Sequence, residues 1–78
     1  MRRQPAMALF RLLGVPSRLV ILQRVARRAS TATQLAAQLP LTRPAVVQHL
    51  SALKRHGLVS VSTEGRQRIY RLATPGLQ

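Results

Sequence analysis

Between residues 42 and 55 the chain carries side chains suited to hydrogen bonding and contact rather than to breaking bonds. Arg43 offers a guanidinium, Gln48 a carboxamide, Thr42 and Ser51 hydroxyls, Lys54 an ammonium and Val47 a pair of methyl groups. At about 100° per residue, with Val46 as zero, Leu50 and Leu53 fall within about 40° of it, while Arg43, Lys54, Val47, Ser51, Arg55 and Gln48 spread over about 60–200°. One side of such a helix anchors in a core and the other looks outward. Guanidinium on guanine, carboxamide on adenine and an apolar group on the thymine methyl are the pairings that read the major groove of double-stranded DNA. The first turns of a helix laid in that groove reach the base edges. The spacing therefore assigns Arg43, Val47 and Gln48 to bases, and Thr42, Ser51 and Lys54 to phosphates. The plainer alternative is a solvated helix face with Val47 at the edge of the core.

Other chemistry is excluded by what the chain lacks. It has 78 residues, thirteen Lys or Arg and one acid, Glu64, for a net charge of +12. Carboxylate dyads and calcium or magnesium cages need several Asp or Glu. With no Cys there is no disulfide framework, thiolate zinc site or thiol nucleophile. His49 and His56 stand two helical turns apart, too far for one ion, with no acid or Cys nearby to complete a shell. His49 reads as a phosphate or packing contact, and His56 as a helix-end residue favoured by the dipole. The serines and histidines form no triad without an acid to orient the base. The expectation is a chain that is not an enzyme and takes no metal or cofactor.

The charge is not that of a disordered tail, because 46% of the residues are hydrophobic and they recur in periodic groups. The length allows one domain, taken as residues 1–78. A strongly basic domain repels itself unless a polyanion relieves it. Nucleic acid is the leading partner and an anionic membrane the second. Arg11 and Arg18 interrupt the apolar start, and no run approaches the ~20 apolar residues that span a bilayer. A cytoplasmic protein without a membrane partner is expected.

The elements that must position the reading face follow from local signals. Ala6 to Leu13 reads as a short helix ended by Gly14. Pro16 to about Ala29 is a second, with Leu19, Ile21, Leu22, Val25, Ala26 and Ala29 on its apolar face and Val20 among polar neighbours. Thr31 and Gln34 form a capping box for a third helix, which Pro40 stops. Thr42 caps a fourth that runs to His56, where Gly57 supplies a left-handed cap. Val59 to Ser62 and Gln67 to Leu72 alternate as strands about Gly65. Arg66 and Arg68 stand at this hairpin beside Glu64, and Arg66 is the stronger candidate for DNA contact. Arg68 alternates onto the inward face of Tyr70 and Leu72. The fold class is mainly α with a small β-hairpin wing, a winged helix-turn-helix of order α-α-α-α-β-β.

The runs Gln34-Leu-Ala-Ala-Gln-Leu-Pro40, Thr42-Arg-Pro-Ala-Val-Val-Gln-His-Leu50, Leu53-Lys54, Gly57-Leu-Val59, Glu64-Gly65-Arg66 and Arg68-Ile-Tyr-Arg-Leu72 resemble the ArsR family of bacterial transcriptional repressors. Val15-Pro-Ser-Arg-Leu19 is similar to the family's Asp-Pro-Thr-Arg-Leu opening, with Val15 where the capping Asp usually stands. The resemblance is nearest to members that bind no metal. It implies a homodimer that binds an inverted-repeat operator and blocks transcription. Thr42, Arg43, Val47, Gln48 and His49 then occupy the family's DNA-reading positions and Arg66 its wing position, with Val47 where the family usually has Ser. Thr74-Pro-Gly-Leu77 resembles the lead-in to the family's last helix, which this chain lacks. First and last helices normally build the dimer seam. Either residues 6–13 carry it alone, through Met7, Leu9, Phe10 and Leu13 with Val20, or the last helix has been lost or cut away. The rival expectations are an architectural DNA- or RNA-binding protein without sequence preference, and a winged helix that contacts another protein.

Overall fold

The computed structural model describes residues 14–73. Three helices, α1 (Pro16–Arg27), α2 (Ala32–Gln38) and α3 (Arg43–Arg55), precede an antiparallel hairpin of β1 (Val59–Glu64) and β2 (Gln67–Leu72). This is the expected winged helix-turn-helix. The helix expected over Ala6 to Leu13 lies outside the described residues.

Local chemistry sets most of the boundaries. The Thr31 hydroxyl accepts from the Gln34 amide at 3.0 Å and the Gln34 side chain accepts from the Thr31 amide at 2.9 Å, the reciprocal capping box. The Leu41 amide reaches the Leu39 carbonyl at 2.7 Å across Pro40, a three-residue turn centred on the residue whose φ is fixed by its ring. Thr42 caps α3 by accepting from Ala45 at 3.2 Å. At the far end Gly57 has φ +75°. Its amide bonds the Lys54 carbonyl at 2.9 Å and the Leu58 amide bonds the Leu53 carbonyl at 3.0 Å, the paired pattern of a Schellman cap. Val15 offers α1 no side-chain cap, as its replacement of the usual Asp implies.

The core joins all five elements. Ile21, Leu35, Val46, Leu50 and Leu53 are fully buried, with Val25, Ala32, Ala52, Val59 and Tyr70 around them. Each large aliphatic group contributes about 1.5–3 kcal/mol by leaving water. The apolar face of α1 is narrower than its periodicity suggests. Ile21 and Val25 are buried and Leu22 packs against them, but Leu19 is 38% exposed and Ala26 and Ala29 face solvent. The helix also stops at Arg27, short of Ala29. The cause lies across the molecule: Ser30 forms an isolated bridge with Tyr70 of β2, with N–H to O distances of 3.0 and 2.8 Å. That bridge requires extended chain, and Arg28 is already extended at φ −158°, ψ 130°. It ties the hairpin to the α1–α2 connection, so the base of the wing is fastened to the helices. The first strand runs to Glu64, past Ser62, because Ser62, Thr63 and Glu64 pair with Ile69, Arg68 and Gln67.

Candidate nucleic-acid interface

Along α3 the side that anchors and the side that faces out separate as the periodicity requires. Val46, Leu50 and Leu53 are fully buried, while Arg43, Gln48, Ser51, Lys54 and Arg55 are exposed. Ala52 is buried as well. Val47 is half-buried, packed on the edge of the core with part of its surface turned into an open groove of about 660 Å³. Arg43, Val47 and Ser51 line one side of that groove, the first turn of α2 lines another, and Arg66 and Arg68 of the wing close it. Five of the expected DNA-binding residues thus come together. Thr42, Gln48, His49 and Lys54 are not part of its walls.

Arg43 is held at its root. Its Nε donates to the Thr33 hydroxyl at 3.1 Å, which leaves the Nη groups to act as a fork. Sequence reading missed Thr33, because no local pattern links it to a residue ten positions later; only the crossing of α2 and α3 brings them together. The Thr42 hydroxyl oxygen is occupied as a cap, and its proton remains to donate.

The wing turns at Gly65, φ +65° with no positive φ at Arg66, the signature of a two-residue type II′ connection. Alternation and register put Arg68 opposite Thr63, on the face that carries Tyr70 and Val61, but beyond the core and exposed. Glu64 turns to the other face, where Arg71 donates to it at 2.9 Å and to Ser62 at 2.8 Å. The hydrogen bond from Arg71, and then its charge, hold the Glu64 carboxyl below the usual carboxylate range. The only acid in the chain therefore neutralises Arg71 and leaves Arg66 and Arg68 uncompensated.

His49 is half-buried at the seam of α3 and α1, and its Nδ1 accepts from Arg18 Nε at 3.4 Å. Burial, and then the Arg18 charge, push its pKa below 6.5, so the neutral ring is favoured. His56 Nδ1 donates to the Ala52 carbonyl at 3.0 Å, as befits a helix end. Among the described residues no three His, Cys, Asp or Glu come together, and no helix is long and apolar enough to cross a membrane. Val20 is half-buried on α1; Met7, Leu9, Phe10 and Leu13 lie outside the described residues.

Residues 7–62 match the family model described as a helix-turn-helix domain. The chain is 41% identical over 61 residues to the HTH-type transcriptional regulator Rv2034 of Mycobacterium tuberculosis, an alignment covering 78% of this chain and 57% of that protein. It spans 57–62% of the length of the curated relatives it matches. Its fold superposes on an ArsR-like transcriptional regulator from Rhodococcus sp. RHA1 with a TM-score of 0.81 and 34% identity, covering 94% of this chain and 69% of that one. It also superposes on the homodimeric winged helix-turn-helix DNA-binding domain of Mb0332 from Mycobacterium bovis, at TM-score 0.82 and 26% identity, covering 94% and 68%. The chain belongs to the ArsR-like family of winged helix-turn-helix transcriptional regulators.

Proposed function

We propose that the chain is a sequence-specific, double-stranded-DNA-binding repressor, acting in the cytoplasm as a homodimer on an inverted-repeat operator. The observation that carries this reading is the groove in which the outward face of α3 meets the wing, with Arg43, Arg66 and Arg68 on its walls and no carboxylate among them. Arg43, Val47 and Gln48 read base edges from the start of α3. Thr42, His49, Ser51 and Lys54 contact phosphates or the groove edge, with the neutral His49 able to donate only from Nε2. Arg66 and Arg68 follow the neighbouring minor groove or its phosphates. The homodimeric neighbour from Mycobacterium bovis supports pairing of two copies. The seam we assign to Met7, Leu9, Phe10 and Leu13 with Val20. Two such copies place their α3 helices in successive major grooves about one turn apart. Neither histidine is assigned to a metal, since one is engaged by Arg18 and the other by a backbone carbonyl.

Footprinting on DNA upstream of the chain's own gene tests the whole reading, paired with affinity for that segment and for random duplex at equal salt. A symmetric protected site bound at least ~10³-fold more tightly than random duplex is the expected result. Equal affinities assign the chain to the architectural class instead. Gln48→Ala without effect on DNA binding points to a protein partner.

A further inference from the structure

Two concave surfaces meet at the chain segment between α1 and α2. Thr31 borders the groove described above. Ser30, one residue earlier, borders a separate notch of about 410 Å³, whose other walls are Arg24, Arg27, Arg28 and Gln38. Ser30 is extended through its bridge to Tyr70, and Thr31 is extended at φ −88°, ψ 162°. Successive side chains of extended backbone point to opposite sides, so groove and notch adjoin across a single peptide.

Three of the five residues that wall the notch are arginines. Arg24 and Arg27 share one face of α1 by their three-residue spacing, and Arg28 follows directly. Arg24 is half-buried and braced, its Nη1 donating to Gln38 Oε1 at 2.6 Å. Arg27 and Arg28 are exposed, and among the described residues neither side chain has a hydrogen bond or ion pair. No carboxylate is at hand: Glu64, the one acid of the chain, is bound to Arg71. Guanidinium forks match the oxygens of a phosphate.

We propose that Arg24, Arg27 and Arg28, braced by Gln38, form a second phosphate-binding notch that grips the backbone of the bound duplex beyond the stretch read by α3. The inference rests on the proposed DNA binding, because the occupant of the notch is the continuation of the polyanion held in the groove.

The test uses a duplex recovered by the full chain from a random-sequence library. One form is trimmed to the bases that set affinity; the other carries about one further helical turn of unrelated sequence at each end. Affinity is measured against salt for the wild type, for Arg27→Ala/Arg28→Ala and for Arg27→Lys/Arg28→Lys, with circular dichroism to verify folding. On the long duplex the alanine variant is expected to lose about 3.6 from the logarithmic salt slope of the two-copy complex, roughly 0.9 for each of the two phosphate contacts made by each copy. The lysine variant should keep most of that slope, and all three should coincide on the trimmed duplex. Equal slopes on the long duplex, or the same loss on both lengths, overturn the notch. So does weakened binding of inorganic pyrophosphate without any dependence on duplex length, which assigns the arginines to a free anion. A wild type that does not distinguish its selected duplex from random DNA overturns the regulator reading and the notch together. Retained selectivity without a length effect overturns the notch alone.

Discussion

In the free chain Arg43 is already held by Thr33, and fixing a flexible side chain before binding would remove ordering cost from the base contact proposed for it. Arg43→Ala should cost about 1–3 kcal/mol per half-site and relax preference at one base pair of each. Thr33→Val should weaken discrimination at that same base pair by a smaller amount, and Thr33→Ser should restore it. Titrations against duplexes carrying single base-pair changes decide this, and a Thr33→Val loss spread evenly over all positions contradicts a positioning role. His49 makes a different kind of claim. Its folded pKa is below the ordinary 6.5 because of burial and Arg18, so the unfolded chain takes the proton more readily. Stability is then fully present above pH 6.5 and falls as the pH drops below it towards the folded value. Thermal melts across that range should show a downward slope for the wild type that His49→Gln makes shallower, with His56 common to both.

At the scale of elements, what was legible in the sequence is what neighbouring residues decide. The Thr31–Gln34 box, the stop at Pro40, the Thr42 cap, the Val46–Leu50–Leu53 stripe and the turns at Gly57 and Gly65 each depend on partners a few residues away. The outward half of the candidate site was legible for the same reason, since it is the complement of that stripe. The rest depends on contacts between distant segments. The Ser30–Tyr70 bridge shortens α1, Arg43 finds Thr33 across the turn, Arg18 finds His49 thirty-one positions on, and Arg71 takes Glu64 from the opposite strand. No local periodicity encodes these. Gly57 gives the element scale a clean test. A Cβ built there meets nothing within 4 Å, so Gly57→Ala carries only the strain of a left-handed L-residue. Urea titration should register a loss of about 1–2 kcal/mol, and a larger loss points to a clash that the structure does not contain.

For the molecule as a whole, charge and association pull in opposite directions with salt. Each copy carries +12, and in the proposed complex the wing arginines add to a phosphate term that salt weakens. Arg66→Ala should therefore reduce affinity evenly across sequences and lower the logarithmic salt slope by about 1 per copy, about 2 for a dimer on a two-fold site. Pairing of two such copies without DNA works against mutual repulsion, so it needs an apolar seam. A domain of this length, burying only about 60% of its unfolded surface, also stands to gain from one. Added salt screens the repulsion while leaving apolar burial in place. Free dimers should accordingly tighten as salt rises, over the same range in which DNA affinity falls. Phe10→Glu separates the two contributions. The new carboxylate lowers the charge of each copy, which by itself favours association. If residues 6–13 form the seam, the variant should nevertheless sediment as a monomer at every salt concentration, because an acid cannot be buried there unpaired. It should also lose the cooperative occupation of a two-fold site while keeping weak binding to a single half-site. A variant that remains dimeric, or that pairs more tightly than the wild type, places the seam elsewhere on the molecule.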